Sequence, residues 1–134
     1  MKAMQDSKSI LLAGGDAEFS KTIKAILNLY GYRVAMANDG SKVFDLLAEE
    51  EFDLIISELK MPGFGGTALL EELKKTKAAT PVIVLTASGD VESYLRVMNL
   101  GAFDYLEKSV KATEILRIVR QAIDAASTCH ISPG

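Results

Sequence analysis

Residues 9–19 read SILLAGGDAEF, and this run decides the fold. Its first five residues are apolar almost throughout and lack the polar alternation of a strand with one wet face. That is the pattern of a strand covered on both sides. Gly14 and Gly15 then break the run, and Asp16 is a residue type suited to cap a helix. From Phe19 onward the apolar residues recur at helical spacing, through Ile23, Ile26, Leu27 and Tyr30, until Gly31 supplies a stop. A buried strand that turns directly into an amphipathic helix is a βα unit.

The pattern repeats along the chain. LIIS (54–57) and PVIVLT (81–86) are continuous apolar runs, FDYLE (103–107) is a weaker one, and YRVAMA (32–37) alternates as an edge strand does. Between them, Val43, Leu46 and Leu47 follow the cap Asn38-Asp39-Gly40. Leu69, Leu70 and Leu73 mark a third helix, and Val91, Leu95 and Met98 a fourth that ends near Gly101. Ile115, Ile118, Val119, Ala122 and Ile123 mark the fifth. Five βα units imply an α/β fold: a five-stranded, doubly wound parallel sheet with helices on both faces, in one three-layer domain. The domain is expected to span 8–126, with STCHISPG (127–134) as a C-terminal tail or the start of a linker.

The 134 residues suffice for one core, and 49% hydrophobic against 25% charged residues is an ordinary globular balance. A net charge of −3 argues against direct nucleic-acid binding by this domain. Cys129 has no second cysteine to pair with, and His130 is the sole histidine, so a histidine base or histidine-rich metal site in the body of the fold is excluded. No apolar run is long enough to span a membrane and MKAMQDSK has no apolar signal core, so a cytoplasmic location is expected. EELKK (71–75) reads as a solvated helix face, and Met61 and Phe64 as loop packing.

In such sheets, chemistry gathers beyond the carboxyl ends of the strands. Those positions hold Gly14, Gly15 and Asp16, then Glu58, Leu59 and Lys60, then Thr86, Ala87 and Ser88, and last Glu107, Lys108 and Ser109. The surrounding text, FDLIISELKMPGFGG (52–66), PVIVLTAS (81–88) and GAFDYLEKSV (101–110), resembles the receiver domain of two-component response regulators, in order and at that family's spacing. The resemblance covers residues 8–126 and implies a flavodoxin-like sheet of strand order 2-1-3-4-5. It also implies an aspartate that accepts a phosphoryl group from a partner histidine. An acidic pair after the first strand would bind Mg²⁺ together with that aspartate and a nearby carbonyl. By correspondence, Thr86 is the switch hydroxyl, Tyr105 the switch aromatic, Lys108 the pocket lysine, and Lys60 the source of the carbonyl.

The departures from the family pattern fall at the site itself. Gly14 and Gly15 stand at the acidic pair, Glu58 at the phosphoacceptor, and Ser109 where a proline follows the lysine. No catalytic residue and no cofactor are therefore expected, with Mg²⁺ bound only if Asp16, Glu58 and the Lys60 carbonyl still hold it. Asp16 reads more readily as a helix cap. GG without G-x-G-x-x-G or a P-loop pattern reads as a tight turn rather than a phosphate cradle. The expected function is a pseudo-receiver in a phosphorelay that acts through protein contact. The alternatives are a working phosphoreceiver with Glu58 as an atypical acceptor, and a flavodoxin-like module that binds a small anion or ligand. Expected partners are a histidine kinase, an effector domain, or a second copy through the face made by the fourth helix, fifth strand and fifth helix. Tyr94, Tyr105 and Lys111 are the exposed contacts expected there.

Overall fold

The computed structural model describes residues 7–61, 63, 65–76 and 79–131, with side chains to 126. In chain order the elements are β1 (Ser9–Ala13), α1 (Ala17–Leu29), β2 (Arg33–Ala37), α2 (Gly40–Glu49) and β3 (Leu54–Glu58). They continue as α3 (Gly66–Thr76), β4 (Val82–Thr86), α4 (Val91–Asn99), β5 (Asp104–Glu107) and α5 (Ala112–Ile131). The sheet is parallel throughout and ordered β2-β1-β3-β4-β5, so both the βα alternation and the strand order agree with expectation.

The two-residue alternation of side chains along each strand divides the core in two. Ile10, Leu12, Leu54, Ile56, Ile83 and Leu85 face α1 and α5, where they meet Ile23, Leu27, Ile118 and Val119. Leu11, Ala13, Ile55, Val82 and Val84 face the other way, onto Val43, Leu69, Leu70, Leu73 and Val97 of α2, α3 and α4. Buried on both faces, β1, β3 and β4 have no room for polar alternation, which is why their sequences read as unbroken apolar runs.

Local chemistry sets the helix ends. Asp16, Asp39 and Asp90 each accept a bond from the backbone N–H three residues on, at 3.1, 3.1 and 2.7 Å. Gly31 and Gly101 close α1 and α4 with φ of 92° and 100°, a conformation a Cβ would oppose. The last helix runs to Ile131, so regular structure continues past the boundary expected at 126. Ser127, Thr128, Cys129 and His130 are weak helix formers but not breakers, and the first proline beyond them is Pro133. The side chains of Cys129 and His130, and the whole of Phe64, lie outside the described residues. Met61 packs against the α2–α3–α4 side of the core.

Leu85 has no exposed surface, whereas Leu29 is 83% exposed at the end of α1. Leu85→Ala should therefore lower stability by about 2–5 kcal/mol in urea unfolding. Leu29→Ala should stay within about 0.5 kcal/mol of the parent chain.

Candidate functional site

Strand register brings the candidate residues to one rim. Ala13 pairs with Ser57, Glu58 with Leu85, and Thr86 with Glu107, so the ends of β1, β3, β4 and β5 lie side by side. Glu58 shares its side of the sheet with Leu54 and Ile56, which turns it toward α1 and the β1–α1 turn. Thr86 follows Val82 and Val84 and belongs to the other side, where Tyr105 also packs.

Glu58 is 7% exposed. Its Oε1 accepts a bond from the Gly15 N–H at 3.3 Å. Its Oε2 accepts no well-directed hydrogen bond, and its partner is the charge of Lys108, whose Nζ stands 2.9 Å away. The same ammonium reaches Asp16 Oδ2 at 3.2 Å and lies 4.6 Å from the centre of the Phe19 ring. Lys108 thus ties the turn after β1 to the end of β3 from its own place after β5. Its main chain is fixed as well, since its N–H donates to the Thr86 carbonyl at 2.8 Å.

Burial acts to lower the Lys108 pKa, but hydrogen bonding and charge from Glu58 and Asp16 outweigh it and hold the ammonium above its ordinary value. The Phe19 N–H, and after it Lys108, keep Asp16 below the usual carboxylate range. Asp16 therefore does two things: Oδ1 caps α1 and Oδ2 pairs with Lys108.

Gly14 is buried, and its N–H donates to the Ala37 carbonyl at 2.9 Å. A Cβ built on Gly14 would lie 2.5 Å from Glu58 Oε2 and 2.7 Å from its Cδ. The Glu58 carboxylate fills the space a side chain at position 14 would need.

The side chains of Thr86 and Tyr105, the expected switch residues, form no bond with this ion pair. Thr86 Oγ1 donates to the Ser88 carbonyl at 3.1 Å and accepts from the Ser88 N–H at 3.3 Å, closing its own loop. Between Thr86 and Lys108 opens a cavity of about 200 Å³, also lined by Glu58, Lys60, Ala87 and Ser88. Lys60 is exposed at its mouth. Tyr105 does not line this cavity. Its ring meets Tyr94 edge-on, with centroids 5.8 Å apart, and packs so close to Gly89 that a Cβ there would stand 3.1 Å from Cε2. The expectation that Tyr105 is an exposed contact is thus corrected: it is half-buried, and among the described residues its hydroxyl has no hydrogen-bond partner. Tyr94 is 44% exposed and Lys111 is exposed, as expected.

Sequence reasoning missed Gly89 and the part played by Phe19, and it placed Glu107 at the rim without giving it a role. Glu107 Oε2 accepts a bond from the Gly89 N–H at 3.0 Å and so holds the β4–α4 loop to β5. The Gly89-Asp90 pair ahead of α4 was the available signal for a tight approach there. Among the described residues, no group of three or more His, Cys, Asp or Glu side chains is placed to hold a metal ion.

Comparison with known proteins gives a consistent picture. Residues 10–120 match the family model described as the response regulator receiver domain. The chain is 31% identical over 118 residues to the transcriptional regulatory protein ZraR of Escherichia coli K12, covering 88% of this chain and 27% of that protein. It is 37% identical over 119 residues to the probable transcriptional regulator ycf29 of Pyropia yezoensis, covering 87% and 54%. The chain thus spans about a quarter to a half of the curated relatives it matches. Those relatives carry names of transcriptional regulators, which does not fit the expectation of no direct nucleic-acid contact once it is extended beyond this domain. A CheY-like response regulator receiver domain from Methanospirillum hungatei superposes with a TM-score of 0.86 at 27% identity, covering 92% of this chain and 98% of its own. The receiver domain of a LuxO repressor protein from Vibrio parahaemolyticus superposes with a TM-score of 0.89 at 23% identity, covering 96% and 98%, a likeness of fold.

Two outcomes follow from the ion pair. Lys108→Met strands the Glu58 carboxylate in a site where it is only 7% exposed. That should cost about 3 kcal/mol in urea unfolding, the low end for a buried pair, and adding Glu58→Gln should recover much of it. The pH dependence has a fixed sign. Because the folded Lys108 pKa is raised, its pairing energy is fully present below the ordinary lysine value of about 10.4 and is lost as pH rises through the folded value. The parent chain should therefore lose more stability on that alkaline limb than Lys108→Met does.

Proposed function

The chain belongs to the response regulator receiver domain family, and from this premise we propose that it is a receiver whose pocket is closed by its own residues and whose output is contact with another protein. The carrying observation is the Glu58–Lys108 pair at 2.9 Å, with the Glu58 carboxylate lodged over Gly14. The family's phosphoryl chemistry relies on a metal to offset clustered carboxylates and on in-line geometry at the acceptor. Here the cation that offsets Glu58 and Asp16 is Lys108 itself.

Mg²⁺ is the group the family implies, and the residues present fit it poorly. A hard cation wants several open oxygen ligands. Gly14 and Gly15 offer only backbone, while the carboxylates of Glu58 and Asp16 are already drawn to one ammonium. We therefore derive no phosphoryl step through a metal, and no catalytic role for Glu58. The geometry favours Glu58 as a fixed counter-ion over Glu58 as an imitation of a phosphorylated aspartate. Its carboxylate lies on the Gly14–Gly15 side, and the Thr86 hydroxyl is engaged by Ser88.

The receiver's contacts are proposed for a protein of a two-component pathway, a histidine kinase or an effector domain. The relatives' greater length and their regulatory names support an output domain of that kind. On α4, Val91, Tyr94 and Leu95 are 73%, 44% and 53% exposed, an apolar strip on the face expected to meet a partner or a second copy. Among the described residues, no helix is long and apolar enough to cross a membrane, and a cytoplasmic site of action is part of this reading.

With acetyl phosphate or beryllofluoride plus Mg²⁺, the amide spectrum around Glu58, Thr86 and Lys108 should stay unchanged, and intact mass should show no added phosphate. A saturable shift, or a phosphate mapped to Glu58, would instead establish an atypical phosphoreceiver. A saturable shift with acetate or inorganic phosphate alone would establish the small-anion module.

A further inference from the structure

We infer that Gly14 and Glu58 form a steric pair that controls whether the pocket can admit a divalent cation, so that carboxylates introduced after β1 stay without metal until Glu58 is shortened. The inference rests on the self-closed pocket proposed above. It adds which residue does the closing and in what order the closure can be undone.

The geometry runs in both directions. A Cβ on Gly14 would stand 2.5 Å from Glu58 Oε2, 2.7 Å from Cδ and 2.9 Å from Cγ. Three atoms of one side chain lie inside the distance that real Cβ atoms keep. Ordinarily the end of a glutamate could swing aside. Here it is 7% exposed, tied by Oε1 to the Gly15 N–H at 3.3 Å and by Oε2 to Lys108 at 2.9 Å. A side chain at position 14 must therefore break an ion pair, not merely rotate a free rotamer.

In this geometry Glu58 and a side chain at position 14 compete for one space. An aspartate at 58 would end one methylene short and withdraw its carboxylate from the space over Gly14. Shortening Glu58 alone vacates the space but adds no oxygen ligand. Carboxylates at 14 and 15 alone bring the ligands but find the space filled and Lys108 committed. Only both changes together give a hard cation the open carboxylate set it needs.

The experiment has two arms. In the first, Gly14→Ala is made with Glu58 and with Glu58→Asp, and urea midpoints are compared as a double-mutant cycle. The midpoint should fall clearly when Glu58 is present and hardly at all when residue 58 is shortened. Equal falls in both backgrounds would overturn the steric pair. In the second arm, Mg²⁺ alone is titrated into ¹⁵N-labelled protein. The triple variant Gly14→Asp/Gly15→Asp/Glu58→Asp should give saturable shifts at the ends of β1 and β3. The double variant Gly14→Asp/Gly15→Asp, which keeps Glu58, should give none. Equal binding by the two, or no binding by a folded triple variant, would overturn the inference. Saturable binding by the parent chain would instead overturn the proposed function, so the two failures are told apart.

Discussion

The ammonium of Lys108 is the point on which the carboxyl rim of the sheet depends. It stands 2.9 Å from one carboxylate and 3.2 Å from another, and the two belong to segments that the chain separates widely. Neighbouring carboxylates repel each other unless a positive charge lies between them. A lysine fixed by its own backbone bond to Thr86 supplies that charge. Its ammonium lies over the Phe19 ring, so the charge is positioned by that ring as well as by the carboxylates. The β1–α1 turn, the end of β3 and the start of the segment after β5 are held by this one group.

Behind the rim, the two faces of the sheet act separately. Glu58 belongs to the α1–α5 side, through its alternation with Leu54 and Ile56, and Thr86 and Tyr105 belong to the α2–α3–α4 side. The ion pair is therefore built on one face and the β4–α4 loop on the other. That loop has its own fastenings: Thr86 closes on Ser88, Glu107 holds the Gly89 N–H, and Asp90 caps α4. Its position does not hinge on a side-chain bond from Glu58 or Lys108 to the Thr86 hydroxyl, which is engaged by Ser88.

Much of this was legible in the sequence, for physical reasons. Strands buried on both faces must be apolar throughout, so SILLA and PVIVLT announced a parallel sheet, and with it the rim where Glu58, Thr86 and Lys108 would gather. Asp16 and Asp39 sat where capping needs them. The glycines after β1 were visible as an absence of carboxylates, but not as the space Glu58 occupies, because alternation gives a side chain's direction and not its reach. Tyr105 was misjudged for a similar reason. A tyrosine on an edge strand suggests exposure, and only the path of the β4–α4 loop brings Gly89 against its ring. The extent of α5 was also hidden, since weak helix formers at 127–131 carry no signal of their own.

The sealed hydroxyl of Tyr105 has a consequence of its own. Among the described residues its O–H has no hydrogen-bond acceptor. What holds the ring inward is apolar: the bare Cα of Gly89 on one side and the edge-on ring of Tyr94 on the other. Tyr94 is itself 44% exposed on α4. The half-buried ring on β5 is thus joined by direct contact to a side chain at the α4 surface, and that contact involves no charge of the pocket.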